Sequence, residues 1–338
     1  MRLSPALACI ALATAAASPL SAQVRINEIR IDQSGADVDE FFELAGWPGT
    51  SLAGLTYLVL GDGAFGSGVI EQVTPLTGNV IPPSGFFVAA ESTFTLGAAD
   101  LTTSLNFEND DNVTHLLVSG FTGALDDDLD TNDDGILDVT PWTAVVDRIA
   151  VIQEDNPPSS TEYHYGPPVV GPDLGFVPGG AYRFPDGAAG LSSWNIGDVD
   201  DPSLTGTPGA PNLGGEILID AGGIQTLVVD VGPTYAGDLY LVATNFTGTA
   251  PGLTVGGVAI PLNFDILLQL SLESANGAIF VNNVGTLDSD GRAFAALHVP
   301  VLPANYAGLT LNSAAVIVDP AAMAPTLATN PVPLTLAP

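Results

Sequence analysis

The apolar residues of this chain occur in short runs, and almost every run is bounded by a glycine, proline, asparagine or aspartate. The runs are rich in Val, Ile, Leu, Phe and Thr, a composition that favours β-strands when turn residues flank it. The clearest predicted strands are 24–31, 40–44, 56–60, 86–90, 113–119, 144–152, 225–231, 238–245, 266–273, 277–281, 292–299 and 309–319. The sequence therefore predicts an all-β protein made of sandwiches or barrels.

Helical periodicity does not extend over three turns, and 89–101 holds one short helical turn at most. Hydrophobic residues make up 46% of the chain, which is enough for a core. The most apolar internal stretch, 257–272, is interrupted by Pro261, Asn263 and Asp265. Because a membrane-spanning helix needs about 20 apolar residues, we expect no transmembrane segment.

The first residues have the order of a secretory signal. A positive charge near the start precedes an apolar stretch at 6–17 and small residues at 21–22. We predict a signal peptide at 1–22 and a secreted or cell-surface protein whose mature chain begins at Gln23. The single cysteine, Cys9, lies within the signal, so the mature chain has no disulfide. The alternative is acylation of Cys9, as in a lipoprotein.

The charge balance is strongly acidic, with 38 acidic residues against six arginines and a net charge of −32. Nucleic-acid affinity rests largely on Lys and Arg that neutralise phosphates, so we expect no nucleic-acid partner. Such a chain attracts cations and basic surfaces. The expected partner is an extracellular one, a basic or polysaccharide surface. The alternative is that the carboxylates serve only solubility in salty water.

A segment rich in proline and glycine at 207–215 divides the chain. The part before it, 23–212, carries the acidic clusters and all three tryptophans, whereas 213–338 is poorer in charge. Both parts have ordinary domain lengths. We predict two β domains that meet near residue 212, with the tail 320–338 forming a final edge strand or a loose end.

Five landmarks in the first part resemble the lamin tail domain family in its bacterial secreted form. They are VRINEI at 24–29, DEFFEL at 39–44, LAGL at 52–55, IPPSGFFV at 81–88 and TPGAPN at 207–212. The sequence departs from the family after the Glu-Leu pair, where Ala45 and Gly46 replace the usual asparagine, and 106–195 is longer than the minimal domain needs.

The resemblance implies an immunoglobulin-like β-sandwich of lamin-tail type at 23–212, with inserted acidic loops. Family members are mostly interaction modules, and some are fused to nucleases or other hydrolases. The second part, 213–338, is similar to a β-rich module of secreted bacterial proteins, with the turn LDSDGRA at 287–293. It is expected to form a second β-sandwich-like domain.

The densest acidic segment, 126–138, has the spacing of a calcium loop. Ca²⁺ takes six to eight oxygen ligands, and a glycine at the sixth position, here Gly135, permits the sharp turn around one ion. The predicted ligands are the side chains of Asp130, Asn132, Asp134 and Asp138 and the backbone carbonyl of Ile136. The loop resembles those of EF-hands, dockerins and thrombospondin type-3 repeats, but Pro141 stands where an EF-hand has glutamate. The alternative is a solvated acidic loop.

Three other acidic runs are weaker candidates. Asp288–Gly291 predicts a hairpin turn first, and a second cation site is the lesser alternative. The cluster at 198–201 is expected to be a solvated loop. The run at 108–112 is a further source of carboxylates for a cation site near the calcium loop.

Enzyme chemistry has few candidate residues here. The three histidines, His115, His164 and His298, have no zinc-ligand spacing, and the mature chain lacks cysteine and lysine nucleophiles. We therefore predict a non-catalytic binding or structural module. The alternative is a metal-dependent extracellular hydrolase, a phosphodiesterase or a glycosidase, that uses the carboxylate clusters.

Overall fold

The computed structural model describes residues 24–36, 38–63, 66–108, 110–156, 162–173, 175–187, 189–197 and 208–338. These residues form 22 strands, one α-helix and two short 3₁₀ helices, so the predicted all-β class is confirmed. The strands of the first part are β1 (Arg25–Arg30), β2 (Phe41–Ala45), β3 (Leu55–Gly61), β4 (Val69–Pro75), β5 (Phe86–Ala90), β6 (Leu101–Thr102), β7 (Val113–Ser119), β8 (Ala144–Val151), β9 (Val169–Val170), β10 (Gly180–Phe184) and β11 (Gly190–Ile196).

The second part adds eleven strands, helix α1 (Ile266–Glu273) and 3₁₀ helices at Pro233–Tyr235 and Ala304–Tyr306. Its strands are β12 (Gly215–Leu218), β13 (Gly223–Asp230), β14 (Leu239–Asn245), β15 (Leu253–Val255), β16 (Val258–Ile260), β17 (Phe280–Val281), β18 (Val284–Thr286), β19 (Arg292–Val299), β20 (Thr310–Asp319), β21 (Ala324–Ala328) and β22 (Val332–Ala337).

The described strands form three large sheets. The largest has nine strands in the order β17-β19-β13-β11-β10-β1-β2-β5-β6. A five-stranded sheet has the order β4-β3-β7-β8-β9, and a six-stranded sheet has the order β12-β22-β20-β14-β18 with β21 paired to β20. Strands β15 and β16 form a separate two-stranded sheet.

The first core lies between the nine-stranded and the five-stranded sheets. Ile26 and Phe42 of the larger sheet and Tyr57 and Leu117 of the smaller one are fully or almost fully buried in a single cluster. The rings of Phe42 and Tyr57 stack across the interface with centroids 3.7 Å apart. Burial of such large apolar side chains is the main favourable term in folding, so this contact fixes the two sheets face to face.

A second core covers the opposite face of the nine-stranded sheet. On β13, Val228 belongs to the first core, whereas its neighbours Leu227 and Val229 pack with Val242 and Ile317 of the six-stranded sheet. Successive side chains of a strand point to opposite faces. Strand β13 is therefore covered on both sides, and the sheets form three layers at this point.

The nine-stranded sheet crosses the predicted domain boundary. Strand β11 lies before the boundary and β13 after it, and they pair antiparallel with Gly190 opposite Asp230 and Trp194 opposite Thr226. The boundary near Asn212 thus falls between neighbouring strands of one sheet. The division into 23–212 and 213–338 stays a prediction about folding units.

Buried ion pairs join the same two parts. The carboxylate of Asp230 on β13 pairs with Arg25 on β1 and, at 2.8 Å, with Arg292 on β19. Asp147 on β8 lies 2.7 Å from Arg183 on β10 and 3.9 Å from Arg25. Three of the chain's six arginines therefore take part in these ion pairs, and the pairs with Asp147 join the five-stranded sheet to the nine-stranded one.

The predicted strand at 266–273 is wrong, because this segment forms helix α1. Asp265 caps the helix, and its carboxylate accepts a hydrogen bond of 2.8 Å from the backbone N–H of Leu268. The buried residues of the helix are Leu268 and Ser271, which are three positions apart and share one face. Leucine, glutamine and glutamate favour helices, and the apolar run hides the helical period.

The tail differs from its prediction as well. Strand β22 lies between β12 and β20, parallel to the first and antiparallel to the second, so it is an interior strand and not an edge or a loose end. Its alternating buried residues Val332, Leu334 and Leu336 supply the core of this sheet.

The predicted hairpin at Asp288–Gly291 is a tight turn of another kind. Oδ1 of Asp288 accepts hydrogen bonds from the backbone N–H groups of Asp290 and Arg292. Strand β18 before the turn pairs with β14, whereas β19 after it pairs with β13 and β17. At this turn the chain therefore leaves the six-stranded sheet and enters the nine-stranded sheet.

Several predictions fall outside the described residues: the signal peptide at 1–22 with Cys9, the acidic cluster at 198–201, and Asn109 of the run at 108–112. Within the described ranges, no helix has the length and apolar composition needed to cross a membrane.

Candidate functional site

The predicted calcium loop lies along the start of β4. Val69 and Asp128 form an isolated antiparallel bridge. Ile70 exchanges backbone hydrogen bonds with the loop, donating to Asp127 at 3.0 Å and accepting from Asp126 at 2.9 Å. The acidic segment therefore extends the edge of the five-stranded sheet.

Asp130 organises this loop from its interior. The residue is fully buried, and its carboxylate accepts hydrogen bonds from the backbone N–H groups of Asp134 at 3.2 Å and Gly135 at 2.8 Å. The hydroxyl of Tyr165 donates a third, at 2.9 Å. Gly135 has a φ of +81°, which other residues rarely adopt, so the glycine lets the chain turn around this carboxylate.

The other predicted ligands lie at the surface of the loop. Oδ2 of Asp138 accepts hydrogen bonds from the backbone N–H and the hydroxyl of Thr131, at 3.0 and 2.6 Å. The side chain of Asn132 donates to Asp134 at 3.2 Å, and Ile136 is exposed. Ca²⁺ binding at these residues stays a prediction.

A different group of carboxylates converges beside the loop. Oxygen atoms of Asp62, Glu71 and Asp111 all lie within 4.8 Å of one another, and among the described residues this is the one group of three metal-ligating acids so arranged. We call these three residues the carboxylate triad. Asp130, Asp134 and Asp138 do not form such a group.

Sheet topology explains why the triad forms. Asp62 directly follows β3, Glu71 is the third residue of β4, and Asp111 lies two residues before β7. Strand β3 is central and antiparallel to both neighbours, so its end lies beside their beginnings. Gly61 leaves room for the group, since a Cβ there would collide with the carboxylate of Glu71.

In both Asp111 and Glu71, one carboxylate oxygen accepts a hydrogen bond from a backbone amide. Asp62 donates from its N–H to Oδ2 of Asp111 at 3.0 Å, and Gly63 donates to Oε1 of Glu71 at 3.0 Å. The second oxygens, Oδ1 of Asp111 and Oε2 of Glu71, are buried and have no hydrogen-bond partner in the described part of the chain. Asp111 is 3% exposed. The amides thus orient the carboxylates but leave an oxygen of each free.

Burial and mutual repulsion act on the triad together. Burial raises the pKa of Asp111 to about 8, and the charge of Glu71 is the second cause of this rise. Burial, followed by the charges of Glu108 and Asp62, raises the pKa of Glu71 to about 7. Burial also raises the pKa of Asp62. Ionised carboxylates here are costly unless a positive charge joins them.

A cleft of about 710 Å³ opens next to the triad. Asp62, Glu71, Glu108 and Asp126 line it, and none of the described residues that line it is basic. Burial raises the pKa of Glu108, and the charges of Asp110 and Asp62 add to this effect. The cleft is therefore an acidic concavity bounded by Asp62 and Glu71 of the triad and by the start of the acidic loop.

Sequence reasoning found part of this group. It named the run at 108–112, which supplies Asp111, as a source of carboxylates for a cation site near the loop. It missed Asp62 and Glu71. In the sequence, Asp62 stands between two glycines and Glu71 stands within a largely apolar run. Neither pattern shows which strands become neighbours in the sheet.

The histidines do not contribute to this region. His115 is fully buried on β7, its Nδ1 lies 2.7 Å from the hydroxyl of Tyr57, and burial lowers its pKa to about 3. Burial also lowers the pKa of His164, and His298 lies on β19 as predicted. A neutral imidazole such as that of His115 supplies no positive charge to a bound phosphate.

Three of the five landmarks meet in space elsewhere. The buried carboxylate of Glu43 accepts hydrogen bonds from the side chain of Asn27 at 2.9 Å and the backbone of Gly209 at 2.6 Å. Asp186 accepts from Asn27 and from the backbone of Asn212, both at 3.0 Å. The segments at 24–29, 39–44 and 207–212 are thus tied into one polar cluster.

No protein-family model matches the chain, and a search of the curated proteins finds no match either. Function is therefore inferred from the chemistry of the residues themselves.

Proposed function

We propose that this protein is a secreted or cell-surface, non-catalytic binding or structural module that binds calcium through the loop at 126–138. The observation that carries the proposal is the buried Asp130, whose carboxylate gathers the loop amides while Asp134 and Asp138 remain at the surface. A cation bound by these oxygens would offset the repulsion among the loop's seven aspartates. It would thereby order the loop along the edge of the five-stranded sheet.

The fold proposed for the first part is an immunoglobulin-like sandwich of lamin-tail type. The face-to-face packing of the nine-stranded and five-stranded sheets supports it. The contacts of Glu43 with Asn27 and Gly209 support it as well, because they give three of the landmark motifs a shared structural role. The second part, built on the six-stranded sheet, is proposed as a second sandwich-like unit.

The proposed partner is a basic or polysaccharide surface outside the cell, and the acidic edge would reach it through the loop and its calcium. The net charge of −32 supports this choice over nucleic acid.

Calcium titration of loop variants tests the proposal. Asp134→Asn combined with Asp138→Asn should remove one calcium ion and its stabilising effect, because both side chains are exposed and their loss leaves the fold intact. The charge-matched control is Asp220→Asn with Glu216→Gln, two exposed acids outside the loop. Equal calcium heats in both double variants would contradict the proposal.

A metal-dependent hydrolase is the second candidate, and the observation that favours it is the triad beside a cleft. Glu71, with a pKa of about 7, has the proton affinity of a general acid. Assays with phosphodiester and glycoside substrates in Ca²⁺, Mg²⁺ or Mn²⁺ separate the candidates. Turnover that a chelator abolishes would establish the hydrolase and overturn the non-catalytic proposal.

A further inference from the structure

We propose that Asp62, Glu71 and Asp111 form a second divalent-cation site, selective for Ca²⁺, at the edge of the five-stranded sheet. The oxygens of these residues come within 4.8 Å of one another. Two oxygens that each bind one ion at about 2.4 Å lie at most about 4.8 Å apart, so the three carboxylates are close enough to share a single calcium ion.

The unpartnered oxygens carry this proposal. Oδ1 of Asp111 and Oε2 of Glu71 are buried and have no hydrogen-bond partner among the described residues. Asp111 as a whole is only 3% exposed. An unsatisfied buried polar atom destabilises the folded state, and more so when it is charged. A cation between the carboxylates satisfies both oxygens at once.

The amide contacts show that the triad is built to present these oxygens. Asp62 uses its backbone N–H to hold Asp111, and Gly63 uses its own to hold Glu71. In both carboxylates the oxygen that accepts from an amide differs from the unpartnered one. The orientation of the free oxygens is thus fixed by the chain before an ion arrives.

The ligand set identifies the class of ion. All three side chains are carboxylates, which suit hard cations such as Ca²⁺ and Mg²⁺, whereas zinc sites favour nitrogen and sulfur. Mg²⁺ requires near-octahedral oxygens at about 2.0–2.1 Å and gives up its waters reluctantly, whereas Ca²⁺ accepts a larger and more flexible shell of oxygens. The neighbouring cleft leaves space for water to complete the larger shell of Ca²⁺.

This site does not depend on the loop at 126–138. Its ligands belong to the ends of β3, β4 and β7, and none is a residue of the loop. A failure of the loop to bind calcium therefore leaves the triad proposal standing, and the converse also holds.

The test is isothermal titration of the full chain with CaCl₂ and with MgCl₂, together with melting temperatures. Asp111→Asn and Glu71→Gln should each weaken one calcium-binding event at least about tenfold. Both should also reduce the calcium-dependent rise in melting temperature. In chelator, neither should melt far below wild type, because each keeps the size of the side chain and an oxygen that can accept from the same backbone amide. Mg²⁺ should bind wild type more weakly than Ca²⁺.

The matched control is Asp110→Asn. Asp110 is exposed and adjoins Asp111 in sequence, but it belongs to neither the triad nor the loop at 126–138. It should titrate as wild type does. The proposal is overturned if Asp111→Asn keeps the wild-type binding, or if Asp110→Asn weakens binding as much, since the effect is then diffuse screening. If Asp111→Asn does not fold, the half-buried Glu71→Gln decides by the same criteria.

Discussion

The backbone N–H of Asp62 donates a hydrogen bond of 3.0 Å to Oδ2 of Asp111, which lies 49 positions further along the chain. This bond joins the end of β3 to the approach to β7 and turns a carboxylate toward Glu71. Charge that is scattered along the sequence is thereby concentrated at one edge of a sheet.

The buried ion pairs predict a large effect of Asp230→Ala on stability. The substitution leaves Arg25 and Arg292 without this carboxylate, and breaking a buried pair typically costs about 3–5 kcal/mol. Denaturant unfolding should show the loss. Asp220→Ala, an exposed acid, is the control and should change stability by less than about 0.5 kcal/mol. A small effect of Asp230→Ala would mean that water replaces the pair.

The polar cluster of the landmarks predicts a pH dependence. Burial is the main cause that raises the pKa of Glu43 from 4.5 to about 8. The folded state therefore holds a proton that the unfolded state has released, so stability should fall as pH rises from about 4.5 to about 8. Glu43→Gln cannot ionise and should flatten this part of the profile. If the stabilities of Glu43→Gln and wild type change with pH in the same way, the pH dependence does not come from Glu43.

The hydroxyl of Tyr165 predicts a specific role in the acidic loop. Tyr165→Phe removes its bond to Asp130, and hydrogen bonds to charged groups contribute about 1.5–3 kcal/mol. Thermal unfolding should show that loss, and calcium should bind the loop more weakly. Tyr306→Phe, at an exposed tyrosine, is the control. An unchanged variant would show that the backbone amides alone hold Asp130.

Helix α1 predicts a capping effect. Burial pushes the pKa of Asp265 upward, but hydrogen bonds from Leu268, Phe246 and Thr247 outweigh it and hold the pKa below its usual value. Asp265→Ala should cost about 1–2 kcal/mol at neutral pH. The difference should shrink as pH falls through the folded-state pKa, because the capping charge is then lost. If the stability difference between wild type and Asp265→Ala does not change with pH, the charge of Asp265 does not contribute to capping.

Much of the fold could be predicted because strand formation has a local cause. Runs such as 113–119 and 292–299 are short and apolar and end at turn residues, and they form β7 and β19. Helix α1 was missed because Asp265 acts as a cap only once the following residues turn, and an apolar run has no visible period. Strands β12 and β22 pair across more than a hundred residues, which no local pattern indicates.

The candidate sites divide in the same way. The loop at 126–138 could be found because its ligands are neighbours in sequence with a characteristic spacing. The triad could not, since Asp62, Glu71 and Asp111 meet only through the order β4-β3-β7. A lone acid at a strand end is common, and its significance depends on which other strand ends lie beside it.

The number of calcium ions bound per chain, at a free calcium concentration just sufficient to fill the wild-type sites, tests the central claim most directly, and equilibrium dialysis measures it. The wild type should bind two ions: one at the triad and one at the loop. Asp111→Asn should bind one, and Asp134→Asn with Asp138→Asn should also bind one, because the two sites share no ligand. A wild type that binds no ion, or an Asp111→Asn variant that still binds as many as the wild type, would contradict the account.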